Sequence, residues 1–252
     1  MSFLKKQNKT LLMPPDLHSH LLPGMDDGCR SRAESLDLLC ASYAQGINVM
    51  VATPHYYPTK EDPLNFITRR ADAVERLREA IKAKNVTDIP EIYVGAEVAY
   101  FNGISRCDNL RELCIVGTNV ILIEMPFQEW SENVLAEITS LGRAQGVVPI
   151  IAHIERYIGY QSVATKEYLL ASEMLIQSNA ESFIAMKTRK NSLDWLKNGH
   201  IDLLGSDAHG MEKRTQNLRA AMEIISHRLG EGSVKELARF GTYLLDHAER
   251  VI

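Results

Sequence analysis

The chain has 252 residues, of which 45% are hydrophobic and 24% charged, so there is enough apolar material for a sizeable folded core. A formal net charge of −4 gives no electrostatic support to nucleic-acid binding, and no apolar run approaches the roughly 18 residues that a membrane span needs. The N-terminus lacks a signal-peptide pattern and the four cysteines form no CxxC pair, so we expect a cytoplasmic protein with reduced thiols.

Short apolar runs alternate along the chain with longer segments of helical periodicity. The predicted strands are the run that ends at His20 and the segments 46–53, 91–98, 119–125, 147–152, 174–179 and 201–206. The predicted helices are 31–45, 61–84, 131–145, 165–174, 181–197 and two more from 216 to the end, which separate near Gly230. Residues 101–116 read as irregular, either a short hairpin or an insertion.

This alternation predicts a parallel sheet covered by helices. An open doubly wound sheet is the alternative, but such sheets normally carry a glycine-rich phosphate loop, and the sequence contains neither GxGxxG nor GxxxxGKS/T. Polar side chains that follow six separate strands converge more readily at the mouth of a closed barrel. Because only seven strand candidates are present, we expect the barrel to be incomplete or distorted.

Histidines and carboxylates stand where these apolar runs end. His18 and His20 are two residues apart and therefore point to the same face of an extended strand, and Asp207 and His209 repeat the spacing after the last predicted strand. Asp27 lies in the loop just beyond the first strand. Since the carboxyl ends of parallel strands share one edge, we expect these side chains to converge on a metal site. The candidate ligands are His18, His20, Asp27, His55, Glu97, Glu124, His153, Asp207 and His209.

Nine ligands exceed what one ion needs, and with sharing they suit two or three ions. Imidazole and carboxylate ligands together are typical of Mn²⁺, Zn²⁺, iron or mixed sites. Arg156 follows one of the candidate histidines, and a guanidinium beside metal ligands indicates an anionic substrate such as a phosphate. Arg214 is either a second phosphate clamp or an exposed arginine before the last helices.

These blocks resemble the polymerase and histidinol phosphatase (PHP) superfamily. Within it, DLHSHLLPGMDDG, TPHYYP, GAE, LIE, IAHIERY and SDAH followed by Arg214 are similar to the bacterial PHP-type protein tyrosine phosphatases of capsule and exopolysaccharide systems. The resemblance spans residues 16–214, and its most specific parts are DDG after the HxH pair and the HxERY block. Ile154 stands where that family usually has proline, which alters a loop and no ligand.

The resemblance implies a single-domain α/β protein over residues 1–252, with a distorted (β/α)7 TIM-like barrel of the PHP type. A tail at 1–13 precedes the barrel, and C-terminal helices at 216–252 pack on it. The resemblance also implies three divalent ions, with two as the alternative, and manganese in preference to iron or zinc. The nine candidate residues are then the metal ligands, with Glu97 as a bridge, and Arg156 and Arg214 bind the phosphate.

The implied function is that of a metal-dependent phosphotyrosine-protein phosphatase acting on the tail of a bacterial tyrosine kinase that controls capsule or exopolysaccharide synthesis. The implied reaction is attack of a metal-activated hydroxide on phosphorus. The alternatives are a small-molecule phosphomonoesterase such as a histidinol phosphatase, a non-catalytic module with a vestigial metal pocket, and a metal-dependent nuclease. Five aromatic residues after strand ends either flank the phosphotyrosyl ring or pack in loops: Tyr56, Tyr57, Phe101, Phe127 and Trp130.

Overall fold

The computed structural model describes residues 11–172 and 174–252, so most of the predicted N-terminal tail lies outside the described residues. The strands are β1 (Asp16–Ser19), β2 (Val49–Ala52), β3 (His55–Tyr56), β4 (Glu91–Val94), β5 (Glu97–Ala99), β6 (Val120–Glu124), β7 (Val148–Ile151), β8 (Leu175–Asn179) and β9 (Leu203–Gly205). The α-helices are α1 (Arg32–Ala44), α2 (Pro63–Lys84), α3 (Glu132–Gln145), α4 (Val163–Ala171), α5 (Glu181–Ile184), α6 (Arg189–Lys197), α7 (Leu218–Leu229) and α8 (Glu231–Leu244).

Each of the seven predicted strands is present, but one of them is interrupted. The second ends before Pro54, which has no N–H to donate to a ladder, and the short strand β3 follows beyond the predicted range. The third divides into β4 and β5 at Gly95, where a Cβ would lie 3.1 Å from the Ile115 side chain. The buried guanidinium of Arg70 donates to the Gly95 carbonyl at 2.8 Å and so gives this carbonyl a hydrogen-bond partner at the break.

The predicted helix at 181–197 is wrong as one element, because it is two helices, α5 and α6. The Thr188 hydroxyl donates to the carbonyl of Ser182, and the Arg189 side chain donates to the carbonyls of Phe183 and Ile184. These side chains satisfy carbonyls at the end of α5 that a continuous helix would have used. The segment 101–116 forms two short 3₁₀ helices, Ile104–Arg106 and Leu110–Leu113, so the hairpin alternative is also wrong.

Polar caps set the ends of the long helices. Ser31 and Ser131 accept hydrogen bonds from the first-turn amides of α1 and α3, and Asp62 does so for α2, whose first residue is Pro63. The predicted starts of these helices at 31, 61 and 131 agree with the observed caps to within a residue. The predicted pair of helices at the C-terminus is also confirmed, as α7 and α8.

All strand pairings are parallel, in the orders β1-β2-β4 and β3-β5-β6-β7-β8-β9. The first and last strands then meet: Ser19 bridges Ala208, and the His20 N–H donates to the Ala208 carbonyl at 2.8 Å. The fold is therefore mixed α/β with a curled parallel sheet. An open doubly wound sheet lacks a contact between its outermost strands, so this contact disfavours the alternative topology.

The strands are buried on both faces, as expected for a parallel sheet under helices. In β6, Val120 and Leu122 join one apolar cluster, while Ile121 and Ile123 join the other. Helix α8 crosses the opposite end of β1, where Gly241 packs against Pro15. Within the described part of the chain, no helix is both long and apolar enough to cross a membrane.

Candidate metal centre

The carboxyl ends of the strands carry the candidate ligands to one place. His18 and His20 lie at the end of β1, and Glu124 ends β6. His55 and Glu97 follow the ends of β2 and β4 and begin the short strands β3 and β5. Three more candidates follow β7 and β9, and one lies in the loop after β1: His153, Asp207, His209 and Asp27. The structure thus brings all nine sequence-predicted residues into one cluster, although they span 192 positions from 18 to 209.

Three groups within this cluster have ligand atoms close enough to share a cation, all atoms of a group lying within 4.8 Å of one another. The groups are His20, Asp27, His55 and His209; His18, His20 and Asp207; and His55, Glu97 and Glu124. His20 and His55 each belong to two groups. Only His153 of the nine is outside them, and its Nε2 lies 2.7 Å from a Glu97 oxygen.

Glu97 stands at the centre of the cluster and is fully buried. Its Oε2 lies 3.2 Å from Nε2 of His18, 3.3 Å from Nε2 of His20 and 3.0 Å from Nδ1 of His55. Its Oε1 faces His153. One carboxylate therefore contacts four histidines from three strand ends, which places Glu97 at the centre of the candidate site.

The electrostatics of the cluster follow from burial and close opposite charges. Burial alone would raise the pKa of Glu97, but the surrounding histidines, His18 foremost, hold it well below its ordinary value. Burial would lower the pKa of His18, yet the charges of Glu97 and Asp207 raise it. At His209 burial and the neighbouring His20 lower the pKa to about 4.

The donor set fits divalent cations on an observation independent of the sequence pattern. Nδ1 of His55 and Oε2 of Glu97 are both buried and face each other at 3.0 Å, yet neither makes a hydrogen bond. Nδ1 of His153 is likewise buried without a hydrogen-bond partner. Unsatisfied buried polar atoms are rare in folded proteins, and nitrogen and carboxylate oxygen converging on one point are the ligands of Mn²⁺, Fe and Zn²⁺.

Three site residues hold backbone conformations that L-residues seldom adopt. The φ angles of His153, Asp207 and Arg214 are 29°, 54° and 46°. The Asp207 N–H donates to the His18 carbonyl and the His209 N–H donates to the Arg214 carbonyl, both at 2.8 Å. Backbone strain that is held in place by surrounding hydrogen bonds is a recurring property of functional sites.

Both candidate arginines lie at the rim of the cluster. Arg156 is 31% exposed and pairs with Oδ2 of Asp207. Arg214 is 36% exposed, with nitrogens 3.3 Å from Oδ2 of Asp207 and 3.2 Å from Oδ2 of Asp27, and it also contacts His209. Arg214 is therefore anchored at the mouth, so its alternative as a plain surface arginine is disfavoured.

The sequence interpretation did not include three polar residues that hold the ligands in place. The Asp26 carboxylate contacts Nδ1 of His20. At the end of β8, Gln177 contacts His18 and Asn179 contacts Asp207. A signal was present in each case: Asp26 adjoins Asp27, and Gln177 and Asn179 repeat the two-residue spacing of the histidine pair on β1.

The five aromatic residues divide by exposure. Tyr56 and Trp130 are 2% exposed and belong to the core, and Phe101 is partly buried against it. Tyr57 stacks on His55 with ring centroids 5.2 Å apart. Phe127 is 53% exposed and packs on Tyr157, which in turn contacts His153. Only Tyr57 and Phe127 are therefore placed to meet a bound molecule.

Comparisons with known proteins agree with this geometry. The chain matches the capsular polysaccharide synthesis family CpsB/CapC over residues 15–242. It is 27% identical to the tyrosine-protein phosphatase CpsB of Streptococcus pneumoniae, covering 88% of this chain and 93% of the relative. It is 26% identical to the tyrosine-protein phosphatase YwqE of Bacillus subtilis (strain 168), covering 85% of each, and 27% identical to a putative tyrosine-protein phosphatase CapC of Staphylococcus aureus, covering 79% of this chain and 78% of the relative.

The fold has a counterpart among solved structures. A structure from a study of YwqE from Bacillus subtilis and CpsB from Streptococcus pneumoniae, described as unique metal-dependent tyrosine phosphatases, superposes with a TM-score of 0.78. The match covers 94% of this chain and 96% of that one at 22% identity. At that identity, the match establishes the shared α/β architecture.

Proposed function

The chain belongs to the capsular polysaccharide synthesis family CpsB/CapC, and from that premise we propose that it is a metal-dependent tyrosine-protein phosphatase. The proposal rests on three overlapping histidine–carboxylate groups, with Arg156 and Arg214 at their rim. Metal ligands alone would fit many enzymes. Two guanidiniums at the rim of the same cluster favour a phosphate ester as the substrate.

We propose that the nine residues named from the sequence hold three divalent cations, with manganese preferred and iron or zinc as alternatives. Three groups of ligand atoms, joined by His20 and His55, support the number. The mixture of imidazole and carboxylate supports metals of intermediate softness. When bound, such ions activate water and neutralise phosphate oxygens.

The protein's own groups bind and orient the phosphate. In the structure, the guanidiniums of Arg156 and Arg214 lie on Oδ2 of Asp207, at the open side of the cluster. A phosphate bound there presents negatively charged oxygens to the guanidiniums, as the Asp207 carboxylate does in the structure. The paired N–H donors then offset the charge that grows on the equatorial phosphate oxygens. The tyrosine leaving oxygen has a pKa near 10, so it needs less protonation than an alkyl alcohol.

The substrate proposed for this site is phosphotyrosine on a bacterial tyrosine kinase of the capsule system. Relatives that carry the name tyrosine-protein phosphatase support this class. Half-exposed Phe127 and the Tyr57 ring on His55 are available to flank the phosphotyrosyl ring. We further propose a cytoplasmic location, since all four cysteines are unpaired, as in a reducing compartment.

The architecture proposed for the whole chain is one domain over 1–252 with seven β/α units, a tail at 1–13 and C-terminal helices at 216–252. In this proposal β2 and β3 together form one strand position, and so do β4 and β5. The nine strands of the described residues then occupy seven positions. The first ten residues of the tail lie outside the described residues.

The test compares phosphate release from a phosphotyrosyl peptide and from histidinol phosphate by the same manganese-loaded sample. We expect the phosphotyrosyl peptide to be hydrolysed with the higher kcat/KM, and His153→Ala to abolish the activity. A large preference for histidinol phosphate would favour the small-molecule alternative. Metal-replete protein that releases phosphate from neither ester would instead favour a non-catalytic module.

A further inference from the structure

Gln177 is fully buried in β8 and joins three strand ends that are far apart in sequence. Its Oε1 accepts from the backbone N–H of His153 at 2.8 Å and lies 3.3 Å from Nδ1 of His18. Its Nε2 donates to Oδ1 of Asn179 at 2.9 Å. The residue is absent from the ligand set, and these contacts extend to both sides of the cluster.

The direction of every hydrogen bond in this network follows from one backbone group. The His153 N–H can only donate, so the Gln177 atom that faces it must be the carbonyl oxygen. The same oxygen faces Nδ1 of His18, which must therefore carry a hydrogen to interact favourably. In a neutral imidazole that leaves Nε2 of His18 with the free lone pair, and Nε2 points into the cluster, 3.2 Å from Glu97.

The network continues to the other side of the cluster through Asn179. Because its Oδ1 accepts from Gln177, its Nδ2 is free to donate, and it does so to Oδ2 of Asp207 at 2.9 Å. Oδ1 of Asp207 then faces His18 and His20 at 3.5 and 3.4 Å. Gln177 thus turns Nε2 of His18 toward the cluster, and Asn179 shares Oδ2 of Asp207 with the two arginines, which leaves Oδ1 facing the histidines.

The Gln177 amide is packed tightly between β9 and the His18 side chain. A Cβ at Gly205 would lie 2.9 Å from Nε2 of Gln177 and 2.4 Å from Cβ of His18. Only a glycine at this position of β9 therefore lets the amide and the imidazole lie side by side. Gln177 also bonds His153, whose φ of 29° is strained.

We propose that Gln177 is a positioning residue of the metal centre, which acts through His18 on one side and through Asn179 on Asp207 on the other. It touches no substrate atom in this assignment. The proposal rests on the metal site of the proposed function. Groups that hold metal-bound histidines and carboxylates in one orientation typically change metal affinity about 10- to 100-fold when they are removed.

The test measures Mn²⁺ affinity by competition with a chelator for Gln177→Leu, Asn179→Leu and the double variant. We expect about 10- to 100-fold weaker binding for Gln177→Leu. We expect the double variant to bind no more weakly than Gln177→Leu alone, because Asn179 depends on Gln177 for its orientation. A double variant whose loss equals the product of the two single losses would overturn the link between the amides.

Gln161→Leu is the matched control, since Gln161 is a buried glutamine that bonds Trp130 and Gln128 and no candidate ligand. Urea unfolding should show that both glutamine variants lose stability, while only Gln177→Leu loses Mn²⁺ affinity. Gln177→Leu with Mn²⁺ affinity within about twofold of the parent would overturn the proposal. If Gln177→Leu fails to fold, unchanged affinity in Asn179→Leu would overturn the Asp207 side.

A spectroscopic readout separates this proposal from the proposed function. In protein loaded with diamagnetic Zn²⁺, nitrogen–proton correlation spectra should show His18 with its proton on Nδ1, protected from exchange. Rapid exchange of that proton in the parent protein would overturn the His18 side. Loss of phosphatase activity on every ester, with the proton and the metal affinity intact, would overturn the proposed function alone.

Discussion

Oδ2 of Asp26 lies 2.7 Å from Nδ1 of His20 and also accepts the backbone N–H of His55 at 2.9 Å. A carboxylate can only accept, so Nδ1 of His20 carries the proton and Nε2 is turned toward the cluster. Burial would raise the pKa of Asp26, but the contacts with His20 and the amides of His55 and Gly28 together hold it below its ordinary range. One carboxylate thus orients two candidate ligands without belonging to the predicted set.

Asp26→Asn is expected to weaken Mn²⁺ binding about 10- to 100-fold. If the amide oxygen stays on His20 and the His55 N–H, the amide NH2 faces the Gly28 N–H; if the amide is flipped, it donates where His20 needs an acceptor. Chelator competition measures the affinity, and Asp37→Asn, an exposed carboxylate on α1, is the charge-matched control. Equal affinities for the two variants would contradict an orienting role for Asp26.

Glu97→Gln should lower metal content and activity more than Asp26→Asn, by at least about 100-fold in affinity, beyond the usual range for an orienting group. The neutral amide removes the negative charge that four histidines surround. Metal analysis by mass spectrometry checks this, with the exposed Glu79→Gln on α2 as control. Full metal occupancy in Glu97→Gln would refute the bridging position.

Arg214→Lys and Arg156→Lys are expected to reduce kcat on a phosphotyrosyl peptide about 10²- to 10³-fold, because an ammonium cannot make the paired contacts of a guanidinium. Metal affinity should not change, since lysine keeps the positive charge and neither arginine is a candidate ligand. Steady-state kinetics and metal analysis on the same samples separate the two effects. Arg239→Lys, on the exposed face of α8, should leave both unchanged, and metal loss in step with activity would contradict a phosphate-binding role.

Gly205→Ala should destabilise the fold by about 1–3 kcal/mol through overpacking. The new methyl would overlap Cβ of His18, which is 2.4 Å away, and both β1 and β9 are buried throughout. Gly142→Ala in α3 is the control: its methyl would meet only ordinary contact, and a helical alanine should stabilise by about 0.4–1 kcal/mol. Urea unfolding checks both signs, and equal effects would refute the packing argument.

Cys114 is buried, and burial raises the pKa of its thiol to about 12. At pH 8 a thiol reagent should therefore modify exposed Cys40 in the native protein and reach Cys114 only after unfolding. The raised pKa also means that the unfolded state ionises first, so Cys114 costs stability as pH rises from about 9 toward 12. Peptide mapping after labelling checks the first point; native labelling of Cys114 would contradict it.

The alternation of apolar runs with helical periodicity determined the parallel α/β fold, and caps such as Ser31, Asp62 and Ser131 placed three helix starts. Polar residues at strand ends also sufficed to name the nine candidate ligands that cluster in the structure, because parallel strands direct their carboxyl ends to one edge whatever the lengths between them. The break at Gly95 escaped prediction because it depends on Ile115 from another segment. The break between α5 and α6 escaped prediction because it depends on hydrogen bonds from the Thr188 and Arg189 side chains to carbonyls of α5, which helical periodicity does not show.

Only the tertiary structure decided which atoms of those residues face one another. Glu97 is central because histidines from three strand ends converge on it, and Gln177 and Asp26 matter because a backbone N–H and an imidazole lie beside them. Hydrogen bonds have directions that a one-dimensional pattern of residue types does not carry. Residue types at strand ends therefore determined which side chains form the candidate metal centre, and the packing of β1, β8 and β9 around Gly205 decided how those side chains are oriented.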